Sequence, residues 1–405
     1  MSRLADSARH AARATGPKVA ATAAVGGVGV AVTSALASLG AATYFARRVV
    51  TPEHEKKDDT WVLAVEGDMV TLRAAPHTLS PGRYGLWLEG GQGHARLGEV
   101  LSQDLSPRRA IDRTVTREVH GIDSGVLEPG PARWNSYYYA GDPGSALGLD
   151  FDEVMVTSDI GELPAWRVPP ATATGRWVIL VHGRSARQEE TLRALPLLHR
   201  LGYTALVPKY RNDLGAPPSS DGRYNLGMSE WRDVEAAIRY AVGHGARDIV
   251  LFGWSMGGAV VLQTLNRSEL SGWVDDVVLD CPVIDWGDVL SHQADLNRLP
   301  RSMALLASGL MGRRWARPLV GVSEPIDLTV ANWVTRADEL VHPMLILHSR
   351  TDAMVPYGPS ERLAARRPDL VTLHLWDGPL HCREWNTDTA LWEQQVGDFL
   401  TRDRA

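Results

Sequence analysis

From residue 150 to the C-terminus, short apolar runs alternate with longer amphipathic ones. Residues 177–181, 203–208, 249–253, 277–279, 344–347 and 370–375 are almost continuous in apolar side chains, the pattern of strands buried on both faces. Residues 185–201, 229–242 and 389–400 read as helices. Apolar positions 231, 234, 238, 241 and 242 share one side of a helical repeat. Ahead of this series, residues 154–157 and 164–168 read as a hairpin. The alternation predicts an α/β fold with a mostly parallel sheet covered by helices on both faces. Ligands then belong at the C-terminal ends of its strands. Residues 287–342 interrupt the alternation, with stretches such as Met303-Ala304-Leu305-Leu306 too apolar for a loose loop. Helical segments capping the site are expected there, with one ordinary helix on long flanks as the alternative.

The pattern before residue 150 is different. Residues 60–149 carry short alternating runs, such as Met69-Val70-Thr71-Leu72 and Tyr84-Gly85-Leu86-Trp87-Leu88, separated by Gly and Pro. They predict a small β-rich module without a catalytic constellation, in which Trp134, Tyr137, Tyr138 and Tyr139 serve packing. Residues 1–18 form a basic tail with Arg3, Arg9, Arg13 and Lys18, followed by an uncharged run over 19–46 that Arg47-Arg48 closes. That run is long enough to cross a bilayer core of about 30 Å as a helix. Ala23, Gly27, Ala31 and Ala35 fall on one face of it, which suits close packing of helices in lipid. A single-pass membrane anchor is expected, with a signal peptide cleaved near residues 35–37 or a soluble Ala-rich helix as alternatives. Residues 47–59 read as a polar linker, and the catalytic domain spans 150–405.

Composition narrows the function classes. A chain of 405 residues with 44% hydrophobic and 22% charged content is globular with ample core, and a net charge of −6 gives no reason to expect nucleic acid. The two cysteines, Cys281 and Cys382, are too few for a disulfide framework and stand in no metal-ligand spacing. No phosphate-cradling glycine loop follows the first strand of the α/β region. Neither a metal nor a cofactor is expected.

The chemistry gathers around Gly253-Trp254-Ser255-Met256-Gly257, where an apolar strand ends in GxSxG and a helix begins. Such a strand, tight turn and helix lift the Ser255 hydroxyl out of the sheet and aim the Met256 amide at an oxyanion on a bound substrate. Serine is a poor nucleophile without a base, and the base needs an orienting acid. Asp352, directly after the strand at 344–347, is the candidate acid; Asp369 precedes its strand and Asp377 shares the histidine's loop. His381, after the next strand, is the candidate base. His374 reads as a strand histidine and His348 as a residue packed near the site. Arg184, in the turn Val181-His182-Gly183-Arg184, offers a second oxyanion amide, while its guanidinium either binds an anionic substrate group or faces solvent. His182 holds that turn. Glu189, Glu190 and Asp213 are candidates for binding a free amine, no better than solvated charges.

Taken together, His182-Gly183, Tyr210-Arg211-Asn212, the elbow through Gly258, Asp352 with Val355-Pro356, and His381 resemble the α/β-hydrolase superfamily over residues 150–405, within its prolyl-oligopeptidase-like and serine-aminopeptidase-like branches. The resemblance implies the α/β-hydrolase fold, with Ser255 as nucleophile, His381 as general base, Asp352 as its orienting acid, and an acyl-enzyme intermediate. Ser349 stands where the family often has glycine, and no propeller precedes the hydrolase part. The implied substrate is an acyl compound, whether a small molecule, a lipid or a peptide. Carboxylic ester hydrolysis is favoured, with a serine peptidase or a catalytically silent binding protein as alternatives.

Overall fold

The computed structural model describes residues 38–54 and 56–403. Its first element is a helix, α1, over residues 38–50. Six strands follow, β1 (Thr60–Glu66), β2 (Met69–Arg73), β3 (Tyr84–Leu88), β4 (Gly93–Asp104), β5 (Thr114–Ser124) and β6 (Gly130–Asn135), closed into a barrel in the order β1-β2-β5-β4-β3-β6. Alternation along them sends Val62, Val70, Leu72, Leu86, Leu97 and Val115 into a common core. Closure leaves no open edge. Arg117 of β5 is buried in this barrel and donates to the carbonyls of Thr78, Ser80, Gly82 and Gly98, which ties down the chain between β2 and β3.

An eight-stranded sheet forms the second layer system. It comprises β7 (Asp152–Ser158), β8 (Gly161–Val168), β9 (Arg176–Val181), β10 (Thr204–Pro208), β11 (Asp248–Trp254), β12 (Val274–Asp280), β13 (Met344–Ser349) and β14 (Val371–Trp376), ordered β14-β13-β12-β11-β9-β10-β8-β7. Strands β9 to β14 run parallel, and the β7–β8 hairpin is antiparallel at one edge. The helices are α2 (Pro143–Leu147), α3 (Leu195–Arg200), α4 (Trp231–Gly243), α5 (Met256–Arg267), α6 (Trp286–Leu296), α7 (Arg301–Met311), α8 (Arg317–Val320), α9 (Gly358–Arg366), α10 (Glu384–Thr387) and α11 (Thr389–Thr401).

The apolar runs have a direct explanation. Trp177, Ile179, Ile249 and Leu251 pack on one face with Val234 and Ile238 of α4, while Val178, Leu180, Val250 and Phe252 pack on the other with Leu198 and Val396 of α3 and α11. Both faces are covered, so both positions of the period-two repeat are apolar, each buried Val, Leu or Ile contributing about 1.5–3 kcal/mol. After β9 the chain steps to β10 on one side and then to β11 on the other. The crevice of this sheet lies at that reversal, beyond the ends of β9 and β11.

One expectation changes, at residues 47–50, and another falls mostly outside the described residues. No helix among the described residues is long and apolar enough to cross a membrane, and most of the anchor read over 19–46 lies outside the described residues. Its last residues belong to α1, whose Ala42, Ala46 and Val50 are fully buried in the core of the catalytic body. The small alanines let this helix dock closely, so residues 47–50 are helical and not linker. The insertion at 287–342 holds α6, α7 and α8, and Gln293 of α6 donates to the carbonyls of Ala353 and Met354 at 3.0 and 2.9 Å, beside the acid loop.

Candidate active site

Ser255 occupies the apex between β11 and α5 with φ 51° and ψ −117°, a conformation that costs of order 1–3 kcal/mol in an L residue. The surrounding glycines make it attainable. A β-carbon at Gly257 would lie 2.1 Å from the Val181 carbonyl oxygen, and one at Gly253 would lie 2.7 Å from the Gly257 carbonyl. Two backbone bonds fix the apex: Ser255 N–H donates to Asp280 O at 3.0 Å, and Val283 N–H donates to Ser255 O at 3.1 Å.

The structure brings Ser255, His381 and Asp352 together. Ser255 Oγ lies 2.9 Å from His381 Nε2, and His381 Nδ1 lies 2.6 Å from Asp352 Oδ2. The other carboxylate oxygen of Asp352 accepts from the amides of Met354 and Val355 at 2.7 and 2.9 Å. Burial pushes the Asp352 carboxyl up, but His381 and His348 outweigh it and hold it well below the usual carboxylate range. Burial likewise opposes a charged His381, and the Asp352 carboxylate overcomes this to lift the imidazole well above the ordinary histidine value.

Residues 178–399 match the family described as the alpha/beta hydrolase family, more than half of the 405-residue chain. The chain belongs to the α/β-hydrolase family. Residues 61–135 match a second family, described as a domain of unknown function, DUF8805. This α/β-hydrolase is similar to the uncharacterized protein YfhR of Escherichia coli (strain K12), 22% identical over 229 residues that make up 56% of this chain and 69% of that protein. It is also similar to the uncharacterized protein YqkD of Bacillus subtilis (strain 168), 24% identical over 235 residues, 56% of this chain and 72% of that one. Among solved structures, the Pyrococcus furiosus esterase Pf2001 shares the fold at a TM-score of 0.50 and 18% identity, over 65% of this chain and 96% of that one.

The turn after β9 closes the crevice of this α/β-hydrolase. A β-carbon at Gly183 would lie 3.2 Å from Ser255 Cβ, so the His182-Gly183-Arg184 turn abuts the elbow. Met256, at the first position of α5, has no acceptor within its helix for its amide. The Arg184 guanidinium takes neither of its expected places. It donates to the carbonyls of Val49, Arg48 and Thr51 at 2.8, 2.7 and 2.7 Å, capping the C-terminus of α1. A helix end offers unpaired carbonyls to a cation, and an uncharged run in the sequence gives no sign of which side chain will meet them.

Glu190 and Asp213 are not solvated charges. Both are buried. Glu190 Oε2 accepts from Gly183 N–H at 2.7 Å, and Asp213 Oδ2 accepts from His182 Nε2 at 2.9 Å and from Tyr210 N–H at 2.8 Å. They brace the turn from behind, whereas Glu189 is only partly buried. Burial disfavours a charged His182, but Asp213 reverses this and raises its pKa.

Further residues gather around His381 and Asp352, through contacts that the sequence did not reveal. His348 Nε2 donates to Val355 O at 3.1 Å and lies 3.5 Å from Asp352 Oδ2, while its Nδ1 accepts from Ser360 Oγ at 2.9 Å. Ser349, in place of the family's glycine, donates to Pro379 O, and Thr351 Oγ1 donates to the same oxygen at 2.6 Å. The departure therefore links the acid loop to the loop of His381. Arg193, buried beside Glu190, donates to Cys382 O at 2.8 Å. Cys281 and Cys382, whose proximity chain spacing left open, both lie against His381.

Proposed function

We propose that this α/β-hydrolase is a serine hydrolase that cleaves a carboxylic ester by two-step acyl transfer. The continuous hydrogen-bonded path from Ser255 Oγ through the His381 ring to Asp352, at 2.9 and 2.6 Å, carries the proposal. Ser255 Oγ attacks the acyl carbonyl as its proton passes to His381 Nε2. The amides of Met256 and Arg184 receive the developing oxyanion. Collapse expels the alcohol, which takes the proton from His381, and leaves the acyl group on Ser255. Water, deprotonated by His381, then releases the acid. Asp352 keeps the Nδ1 proton in place and stabilises the imidazolium that forms in each step.

The engagement of Glu190 with the Gly183 amide and Arg193, and of Asp213 Oδ2 with His182 and the Tyr210 amide, favours the ester over the peptidase reading, since both buried carboxylates already brace the turn. The Gly253-Trp254-Ser255-Met256-Gly257-Gly258 elbow supports a place among the prolyl-oligopeptidase-like and serine-aminopeptidase-like branches. The uncharged run over 19–46 supports attachment to a membrane, and the docking of α1 then sets the catalytic body close to that attachment. A panel of nitrophenyl esters of rising acyl length, set against aminoacyl anilides, tests the substrate class. Ester turnover with an acyl adduct on the peptide containing Ser255, seen by intact and peptide mass, is expected. Faster anilide turnover would move the assignment to a peptidase.

A further inference from the structure

Cys281 and Cys382 take no part in the acyl transfer, yet they stand beside its base. Cys281 follows β12 and Cys382 follows His381, both are buried free thiols, and both hold left-handed backbone, with φ 45° and 51°. Cys382 Sγ lies 3.6 Å from His381 Nε2, and Cys382 N–H donates to Cys281 Sγ at 3.3 Å. Cys281 Sγ, Cys382 Sγ and His381 Nε2 all lie within 4.8 Å of one another. Behind them, the buried Glu384 accepts the Cys281 thiol at 3.0 Å and so fixes the direction of that sulfur. Both cysteines thus hold uncommon backbone conformations, and both sulfurs lie within 4.8 Å of the same ring nitrogen.

Two sulfurs and an imidazole nitrogen form a donor set suited to Zn²⁺. Zinc takes thiolate at about 2.3 Å and imidazole at about 2.0–2.1 Å in tetrahedral geometry, which requires ligand atoms roughly 3.5–4 Å apart. The cluster needs only small side-chain adjustment to reach that spacing. Ser255 Oγ, 2.9 Å from His381 Nε2, swings aside to admit the ion, and it or a water then supplies the fourth ligand. Oxygen-seeking ions such as Mg²⁺ and Ca²⁺ find no matching set among these three atoms.

We propose that Cys281, Cys382 and His381 form an inhibitory binding site for Zn²⁺. Two zinc–sulfur bonds and one zinc–nitrogen bond form, the two thiol protons leave to solvent, and no atom changes oxidation state. The ion takes the Nε2 lone pair of His381, the hydrogen bond to Ser255 breaks, and the serine loses its base. The effect on activity rests on Ser255 and His381 acting as nucleophile and base; the binding does not.

The test uses the full chain, reduced with a phosphine, stripped with a chelator and loaded with Co²⁺ as a spectroscopic stand-in for Zn²⁺. A thiolate-to-cobalt charge-transfer band that saturates at one ion per chain and is displaced by Zn²⁺ is expected. Fluorophosphonate labelling should fall to background at saturating free Zn²⁺, recover on chelation and ignore Mg²⁺ and Ca²⁺. Cys281→Ser and Cys382→Ser should each weaken Zn²⁺ by about tenfold or more, and the double variant should lose the band. His244→Ala, which alters an exposed histidine, should change neither. Folding of each variant is checked by its melting transition, and Cys281→Ala serves where the serine variant melts early. Absence of the band in reduced wild type, or zinc inhibition that persists in the double variant, would overturn the site. A cobalt band in a protein that never labels would sustain the site and remove the hydrolase assignment instead.

Discussion

At Asp352 several polar contacts converge on one carboxylate: His381 at 2.6 Å, the amides of Met354 and Val355 at 2.7 and 2.9 Å, and His348 at 3.5 Å. The negative charge held there raises the pKa of His381 well above 6.5. Only the neutral imidazole accepts the Ser255 proton, so kcat/KM should rise with pH along a limb displaced above that of free histidine. Asp352→Asn removes the charge and leaves the Nδ1 tautomer unspecified. The variant should lose about four orders of magnitude in kcat, and its acid limb should move down in pH; a limb that stays in place would separate Asp352 from the base. Ser255, Asp352 and His381 were legible in the sequence because each follows an apolar strand, in an order that the elbow anticipates. His348 was legible as a residue packed near the site, but its contacts, like those of Ser349 and of the cysteine pair, were not. Their roles depend on meetings between residues far apart in the chain, as with Cys281 and Cys382, which leave no local periodicity.

Helix α1 shows what an element's sequence can leave ambiguous. An Ala-rich run without charge reads the same whether its partner is lipid or protein; at its described end, Ala42 and Ala46 pack into the catalytic body. The parallel sheet was legible because covering both faces makes its strands continuous in apolar residues. Closure of the barrel was not, since alternation marks strands without saying which will pair. Arg184 joins α1 to the turn beside the elbow. Arg184→Ala should cost about 1–3 kcal/mol in stability by freeing the α1 carbonyls, read as a lower Tm and earlier proteolysis near residue 50. Its amide remains, so labelling of Ser255 should hold within a few fold. A large loss of labelling with unchanged Tm would give the guanidinium a catalytic role.

Across the molecule, the barrel is fastened to the chain just beyond His381. Asn386 is buried, its carbonyl accepts from Arg83 N–H at 2.9 Å, and its amide donates to Arg83 O at 2.7 Å and Ser136 O at 2.8 Å. The fit is close: a β-carbon at Gly82 would lie 2.0 Å from the Asn386 carbonyl oxygen. Tyr137 meets the other side of the crevice, its hydroxyl accepting from Arg187 N–H at 3.1 Å. The barrel and the segment that follows it therefore hold both the turn after β9 and the chain just beyond His381. Asn386→Ala leaves two carbonyls unpaired and should lower stability by about 1–3 kcal/mol, with slower labelling of Ser255; an unchanged rate would make the barrel a separate passenger. The most direct test of the central claim is fluorophosphonate labelling of the full chain, comparing wild type with Ser255→Ala and His381→Ala. Rapid labelling of wild type, none in Ser255→Ala and a sharp fall in His381→Ala are expected. A folded wild-type protein that does not label, or labelling that persists in Ser255→Ala, would contradict it.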